Sequence, residues 1–141
     1  MTFKIGTDAG HALSTKGKET PDKEKEWSFN DAVLKAFIKE MKNYEDVQVY
    51  RYDDPTGKVD VPLTTRTGKA NKDKVDLYIS FHHNANTGKW GDWTGTETHV
   101  YLTKPKEADK LAQIVQPKMA KAYGLKDRGI KYTNLHITRE T

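Results

Sequence analysis

The segment Asp76-Leu77-Tyr78-Ile79-Ser80-Phe81 constrains this chain more than any other. It is too short for a core helix and too apolar for a surface loop, so it reads as a central, buried strand. Such a strand needs helices or a second layer against it, and the rest of the chain supplies helical patterns in alternation with strands. Phe3 to Asp8 reads as a first strand. Residues 12–25 are polar, carry Gly17 and Pro21, and read as a loop. A helix is expected from about Ser28 to Asn43, with Phe29, Ala32, Val33, Ala36, Phe37 and Met41 at a 3.6-residue period. Ser28 with Asp31 resembles a capping box, and Trp27 before Ala32 a hydrophobic staple.

Val47 to Tyr52 alternates as a half-buried strand does, and Asp53-Asp54-Pro55-Thr56-Gly57 is a turn cluster. A weaker helix covers Leu63 to Lys72. Residues 86–95 read as a loop carrying Trp90 and Trp93, and Thr96 to Leu102 as a strand. Pro105 opens a helix to about Tyr123, with Leu111, Ile114, Val115 and Met119 on one face. Pro117 should kink that helix, and Gly124 should stop it. Gly129 to Thr138 reads as a last strand. The order βαβ(α)ββαβ indicates an α/β fold: a mostly parallel twisted sheet flanked by helices, in a single domain over residues 1–141.

Composition narrows the chemistry. There is no cysteine, so thiol nucleophiles, thiolate metal sites and disulfides are excluded. A metal here must sit on histidine and carboxylate. The formal net charge is +4, which favours an anionic partner, yet the lysines are scattered and no arginine-rich helix marks a nucleic-acid surface. No apolar run is long enough to span a bilayer, so no membrane partner is expected. Met1-Thr2-Phe3-Lys4-Ile5-Gly6 lacks the apolar core of a signal peptide. The expectation is synthesis in the cytoplasm, or a domain of a longer exported protein.

The chemistry concentrates at two strand ends. His11 follows the first strand after a glycine, and His82 directly follows Phe81. Open α/β sheets form their sites outside the carboxyl ends of their strands, so neighbouring strands would bring both imidazoles to one rim. Glu26 precedes the first helix in line with its inward face, where a carboxylate needs a cation or strong donors. Taken alone, a glutamate at a helix start is as readily explained by the helix dipole. Together, two imidazoles and a carboxylate form a three-ligand zinc set that leaves a position for water.

These residues also carry a resemblance. Asp8-Ala9-Gly10-His11, Glu26-Trp27-Ser28-Phe29-Asn30, Arg66 with Ala70-Asn71, and Asp76 to Ala85 occur in the order found in zinc-dependent N-acetylmuramoyl-L-alanine amidases of the third amidase family. So do Gly95-Thr96-Glu97-Thr98 and Arg128-Gly129-Ile130-Lys131. That family includes phage endolysins and bacterial autolysins. The resemblance implies His11, Glu26 and His82 as Zn2+ ligands, and excludes His83, which stands where the family often has alanine. It implies peptidoglycan as the substrate and hydrolysis of the amide between N-acetylmuramic acid and L-alanine, with action on the cell wall after release.

Asn84, Glu97 and Arg128 are candidate substrate contacts. Glu97 is also read as a support of the site or a solvent-facing strand residue, and Arg128 as a surface charge paired near Asp127. Trp90 and Trp93 either stack on sugar or stem peptide or anchor their loop to the core. His99 and His136 read as structural residues on strands. The family's catalytic glutamate ends a strand that would follow Thr141, so no residue of this chain is assigned that role. The domain is accordingly expected to be C-terminally incomplete and to self-associate through the edge left uncovered. Two other functions fit the same residues: a zinc peptidase or carboxypeptidase acting on wall stem peptides, and a non-catalytic wall-binding module that retains the zinc site.

Overall fold

The computed structural model describes residues 2–84 and 89–141, in two compact units, Met1–Trp90 with Thr141 and Gly91–Glu140. Ala85 and part of the loop expected over 86–95 lie outside the described residues.

The first unit runs β1 (Phe3–Ala9), α1 (Glu26–Met41), β2 (Val47–Arg51), α2 (Leu63–Asp73) and β3 (Leu77–Phe81). Its strands pair in parallel in the order β2-β1-β3. The central strand is therefore β1 and not β3, whose residues are only half-buried. Apolar density in β3 reflects packing on its two faces; β1 holds the middle despite Gly6, Thr7 and Asp8 because their polar groups are satisfied there. Gly6 lies under stacked rings of Tyr52 and Tyr78: a Cβ at this position would come within 2.9 Å of Tyr78. Ala9, Trp27 and Leu34 form a buried cluster, with Phe37, Ile38 and Phe81 against it.

Helix α1 departs from expectation in its start and its face. It begins at Glu26, and Lys25 at its N-cap makes no side-chain cap bond. Asp31 closes no capping box: its carboxylate lies 2.9 Å from Arg51 Nη1 and 2.7 Å from Lys35 Nζ. Trp27 is no staple either. It lies inside the helix, buried against Gly57, and donates Nε1–H to Asp53 at 3.4 Å. The buried stripe is Glu26, Trp27, Asn30, Asp31 and Leu34, while Phe29, Ala32 and Ala36 face solvent. Polar residues occupy the inward face because each meets a charge or a hydrogen-bond partner there, which offsets their desolvation.

The second unit runs β4 (Thr96–Tyr101), α3 (Lys106–Tyr123), β5 (Asp127–Thr133) and α4 (His136–Glu140), with β4 and β5 parallel. Parallel strands flanked by helices in both units give the α/β class expected. Helix α3 continues through Pro117 and ends on Gly124, whose φ of 63° supplies the left-handed cap. Its buried residues are Ala112, Gln116 and Ala120, not Ile114 and Val115, which are exposed. Gln116 is tolerated inside because Oε1 accepts from Thr98 Oγ1 at 2.8 Å and Nε2 donates to the Thr96 carbonyl at 2.9 Å. The last strand stops at Thr133, so His136 and Thr138 are helical. The turn of α4 is closed by Arg139 N–H to the Leu135 carbonyl at 3.1 Å.

Candidate metal centre

Strands β1 and β3 are hydrogen-bonded neighbours whose last register pair is Ala9 with Phe81. Gly10 N–H extends the pairing to the Phe81 carbonyl at 2.9 Å. Both histidines therefore leave the sheet at one rim, as the strand-end argument requires. His11 turns out through a left-handed backbone (φ 65°), an unfavourable conformation that its surroundings must hold.

Arg66 of α2 does the holding. Only 1% exposed, it donates Nη1–H to the Ala9 carbonyl at 3.1 Å and Nη2–H to the His11 carbonyl at 3.5 Å. Its charge is met by Asp8 at 3.1 Å and Asp60 at 3.3 Å. Asp8 also accepts from Tyr78 OH at 2.9 Å and from Ser80 Oγ. Burial and the Asp8 carboxylate push the Tyr78 phenol up, keeping it a donor.

Glu26 arrives from the first turn of α1, its N–H tied to the Lys18 carbonyl at 3.0 Å. Its buried carboxylate places Oε1 3.1 Å from His82 Nδ1 and 3.5 Å from His11 Nε2. The imidazoles meet edge to face, with centroids 5.0 Å apart. One ligand atom from each of His11, Glu26 and His82 lies within 4.8 Å of the other two. The site depends on Gly10: a Cβ there would fall 2.1 Å from His82 Cε1.

Burial would raise the Glu26 carboxyl, but the His82 hydrogen bond and the His11 charge bring it below its ordinary value. Burial lowers His11, against the pull of Glu26, which favours the neutral imidazole that metal binding requires. Two imidazole nitrogens and one carboxylate oxygen fit a divalent cation that accepts mixed N/O donors, and with no cysteine in the chain no thiolate competes.

His83 takes another direction. Its Nδ1 is 2.8 Å from Asn30 Oδ1, an oxygen that can only accept, so the ring donates there. Asn30 also donates Nδ2–H to the Gly10 carbonyl at 3.0 Å. Because β3 ends at Phe81, Asn30 and not strand alternation turns His83 aside.

Of the other residues marked from sequence, Asn84 is exposed in the first unit. Glu97 and Arg128 belong to the second unit, where Arg128 Nε lies 3.0 Å from Glu97 Oε2. Arg128 thus pairs with Glu97 and not near Asp127, which instead accepts from Gln116. Glu97 also meets His99 at 3.2 Å. Trp90 and Trp93 are exposed and do not anchor their loop in a core. The supporting residues Asp8, Gly10 and Asn30 stand in the sequence only as members of the family-like motifs, without a role of their own. A charge inside the buried strand Phe3–Asp8 was the available signal.

A family model described as N-acetylmuramoyl-L-alanine amidase matches residues 5–141. The chain is 32% identical over 142 residues to the N-acetylmuramoyl-L-alanine amidase CwlM of Bacillus licheniformis, covering 98% of this chain and 52% of that protein. It is 32% identical over 151 residues to the endolysin of Bacillus phage SPP1, covering 100% of this chain and 51% of that protein. It thus spans about half the length of these relatives. Among solved structures, an N-acetylmuramoyl-L-alanine amidase from Clostridium difficile 630 superposes with a TM-score of 0.89 at 27% identity, over 99% of this chain and 74% of that one. The catalytic domain of the N-acetylmuramoyl-L-alanine amidase CwlV from Bacillus (Paenibacillus) polymyxa gives 0.85 at 27% identity, over 99% and 75%.

Proposed function

The chain belongs to the N-acetylmuramoyl-L-alanine amidase family, and we propose that it hydrolyses the amide between N-acetylmuramic acid and L-alanine in peptidoglycan, using Zn2+ held by His11, Glu26 and His82. The observation that carries this reading is the convergence of those three side chains, with ligand atoms within 4.8 Å of one another, at the carboxyl ends of two adjacent parallel strands. The chemistry that zinc supplies in such a site is Lewis acidity, which polarises a carbonyl and lowers the pKa of water toward ~7.

The protein residues supply position and charge. Arg66 fixes the carbonyls of Ala9 and His11 and so sets the direction of the His11 ring. Gly10 leaves room for the His82 ring, and Asn30 holds the Gly10 carbonyl and keeps His83 turned away. Glu26 brings the negative charge that offsets a dication, on a helix whose first turn is tied to the Lys18 carbonyl.

The test is zinc content together with product analysis on purified cell walls. One zinc per chain, with new free amino groups and no new reducing ends, is the expected outcome. Cleavage confined to bonds inside the stem peptide would replace the amidase reading with a peptidase. Sedimentation with walls without any release would leave only a binding module.

A further inference from the structure

The second unit carries nine Lys and Arg against six Asp and Glu, a formal +3 of the chain's +4. Within it lies a groove of about 520 Å³ lined by Asp92, Trp93, Lys126, Asp127, Arg128 and Lys131. We propose that this groove binds a phosphate-type oxyanion, with the Arg128 guanidinium as its centre and Lys126 and Lys131 as flanking charges. This assignment does not rest on the amidase reading.

Three features build the groove. The first is a bulge in the parallel β4–β5 pair. Thr96 registers with Asp127 and Thr98 with Ile130, so the single residue Glu97 faces both Arg128 and Gly129. Bulges are rare in parallel pairs and re-aim the side chains they displace. Gly129 at φ 77° supplies the left-handed residue the irregularity needs.

The second is the seating of Arg128. Gly95, at φ 130°, lets the arginine stem lie against the backbone; a Cβ there would come within 2.8 Å of Arg128 Cγ and 2.6 Å of the Lys126 carbonyl. Glu97 accepts from Arg128 Nε at 3.0 Å, which orients the guanidinium and leaves its Nη groups as a fork.

The third is the charge balance. Asp127 accepts from Gln116 Nε2 at 2.5 Å and Gly129 N–H at 2.8 Å and keeps its charge, and Asp92 is a second carboxylate of the lining. Among the described residues, neither Lys126 nor Lys131 is within ion-pair distance of a carboxylate.

A single carboxylate would be matched by the arginine fork alone. The three cations outweigh Asp92 and Asp127 by one charge, and the two lysines without an ion-pair partner add ammonium groups to the arginine fork, a combination that suits phosphate. The exposed Trp93 indole adds a face on which an apolar or sugar portion can lie.

The experiment is an NMR titration of the full chain with pyrophosphate, with a glycerol-phosphate polymer, and with succinate as a dicarboxylate control. Saturable shifts at the Trp93 indole and the Arg128 and Gly129 amides are expected with both phosphate ligands. Arg128→Gln should weaken them by about tenfold, as loss of one charge-assisted pair does. Lys126→Ala with Lys131→Ala should weaken them without disturbing the Glu97–Arg128 pair. Lys118→Ala with Lys121→Ala, on the exposed side of α3, should leave them unchanged. Tighter binding of the polymer per site would identify a strand-like source of phosphate, and equal binding a small one. Equal weakening by the Lys118/Lys121 variant, shifts that never saturate, or succinate bound as tightly as pyrophosphate would overturn the assignment.

Discussion

Replacing Gly10 with alanine isolates the metal centre from the rest of the fold. The added Cβ would sit 2.1, 2.4 and 2.5 Å from three atoms of the His82 ring, where ordinary contact begins near 3.4 Å. The ring must retreat by about 1.3 Å, the difference between the two limits. Zinc tolerates ligand displacements of only ~0.2 Å, so His82 is lost as a ligand instead of being merely strained. Disturbing a group that only orients a ligand typically costs ~10–100-fold in metal affinity, and loss of a ligand should reach or exceed the upper figure. The fold should survive, because the His82 side chain is 40% exposed and can swing outward. The assay is zinc competition against a fluorescent chelator, with the Tm of the metal-free protein measured alongside. Weakening by about 100-fold with little change in that Tm is the expected result. Wild-type affinity in Gly10→Ala would refute the placement of His82 at the metal.

Three further outcomes follow from the same geometry. His82→Ala should abolish zinc binding, whereas His83→Ala should retain it, since His83 is directed to Asn30; atomic absorption on dialysed protein separates the two. Arg66→Met should destabilise the first unit by roughly 3–5 kcal/mol in urea unfolding, because it strands the buried Asp8 carboxylate without its cation. His11 is held below its ordinary value of 6.5 chiefly by burial, so between its folded pKa and 6.5 the unfolded chain binds more protons. The stability linked to His11 is therefore present above about pH 6.5 and lost as pH falls below it. Metal-free protein should unfold at lower urea at about pH 5 than at about pH 7.5, and His11→Gln should flatten that difference.

The parts of the fold written in hydrophobic period were legible in the sequence. Phe3–Asp8 and Asp76–Phe81 read as strands, and two histidines at strand ends pointed to a common rim before any pairing was known. What stayed illegible was polar burial. In α1 the 3.6-residue period fits the stripe of Phe29, Ala32 and Ala36 as well as that of Leu34 and Ile38, because apolar residues occur on several faces. The inward stripe was decided by Glu26, Asn30 and Asp31, whose partners come from Gly10 just after β1, from β2 and from residues 82–83. A residue's own strand or helix cannot report a partner 20 to 56 positions away.

The same reasoning explains why β1, with its glycine, threonine and aspartate, is the middle strand of its ladder. A charge at the centre of a sheet is tolerable only if a second charge reaches it, and Arg66 reaches Asp8 from α2. That pair then has two consequences. It removes the penalty of burying Asp8, and it brings a guanidinium within reach of the Ala9 and His11 carbonyls just where the chain must turn out through an unfavourable φ. The polar core of the first unit is thus the support of the His11, Glu26 and His82 cluster, and the sequence feature that argued least for a buried strand, Asp8, is the one that ties the strand to the site.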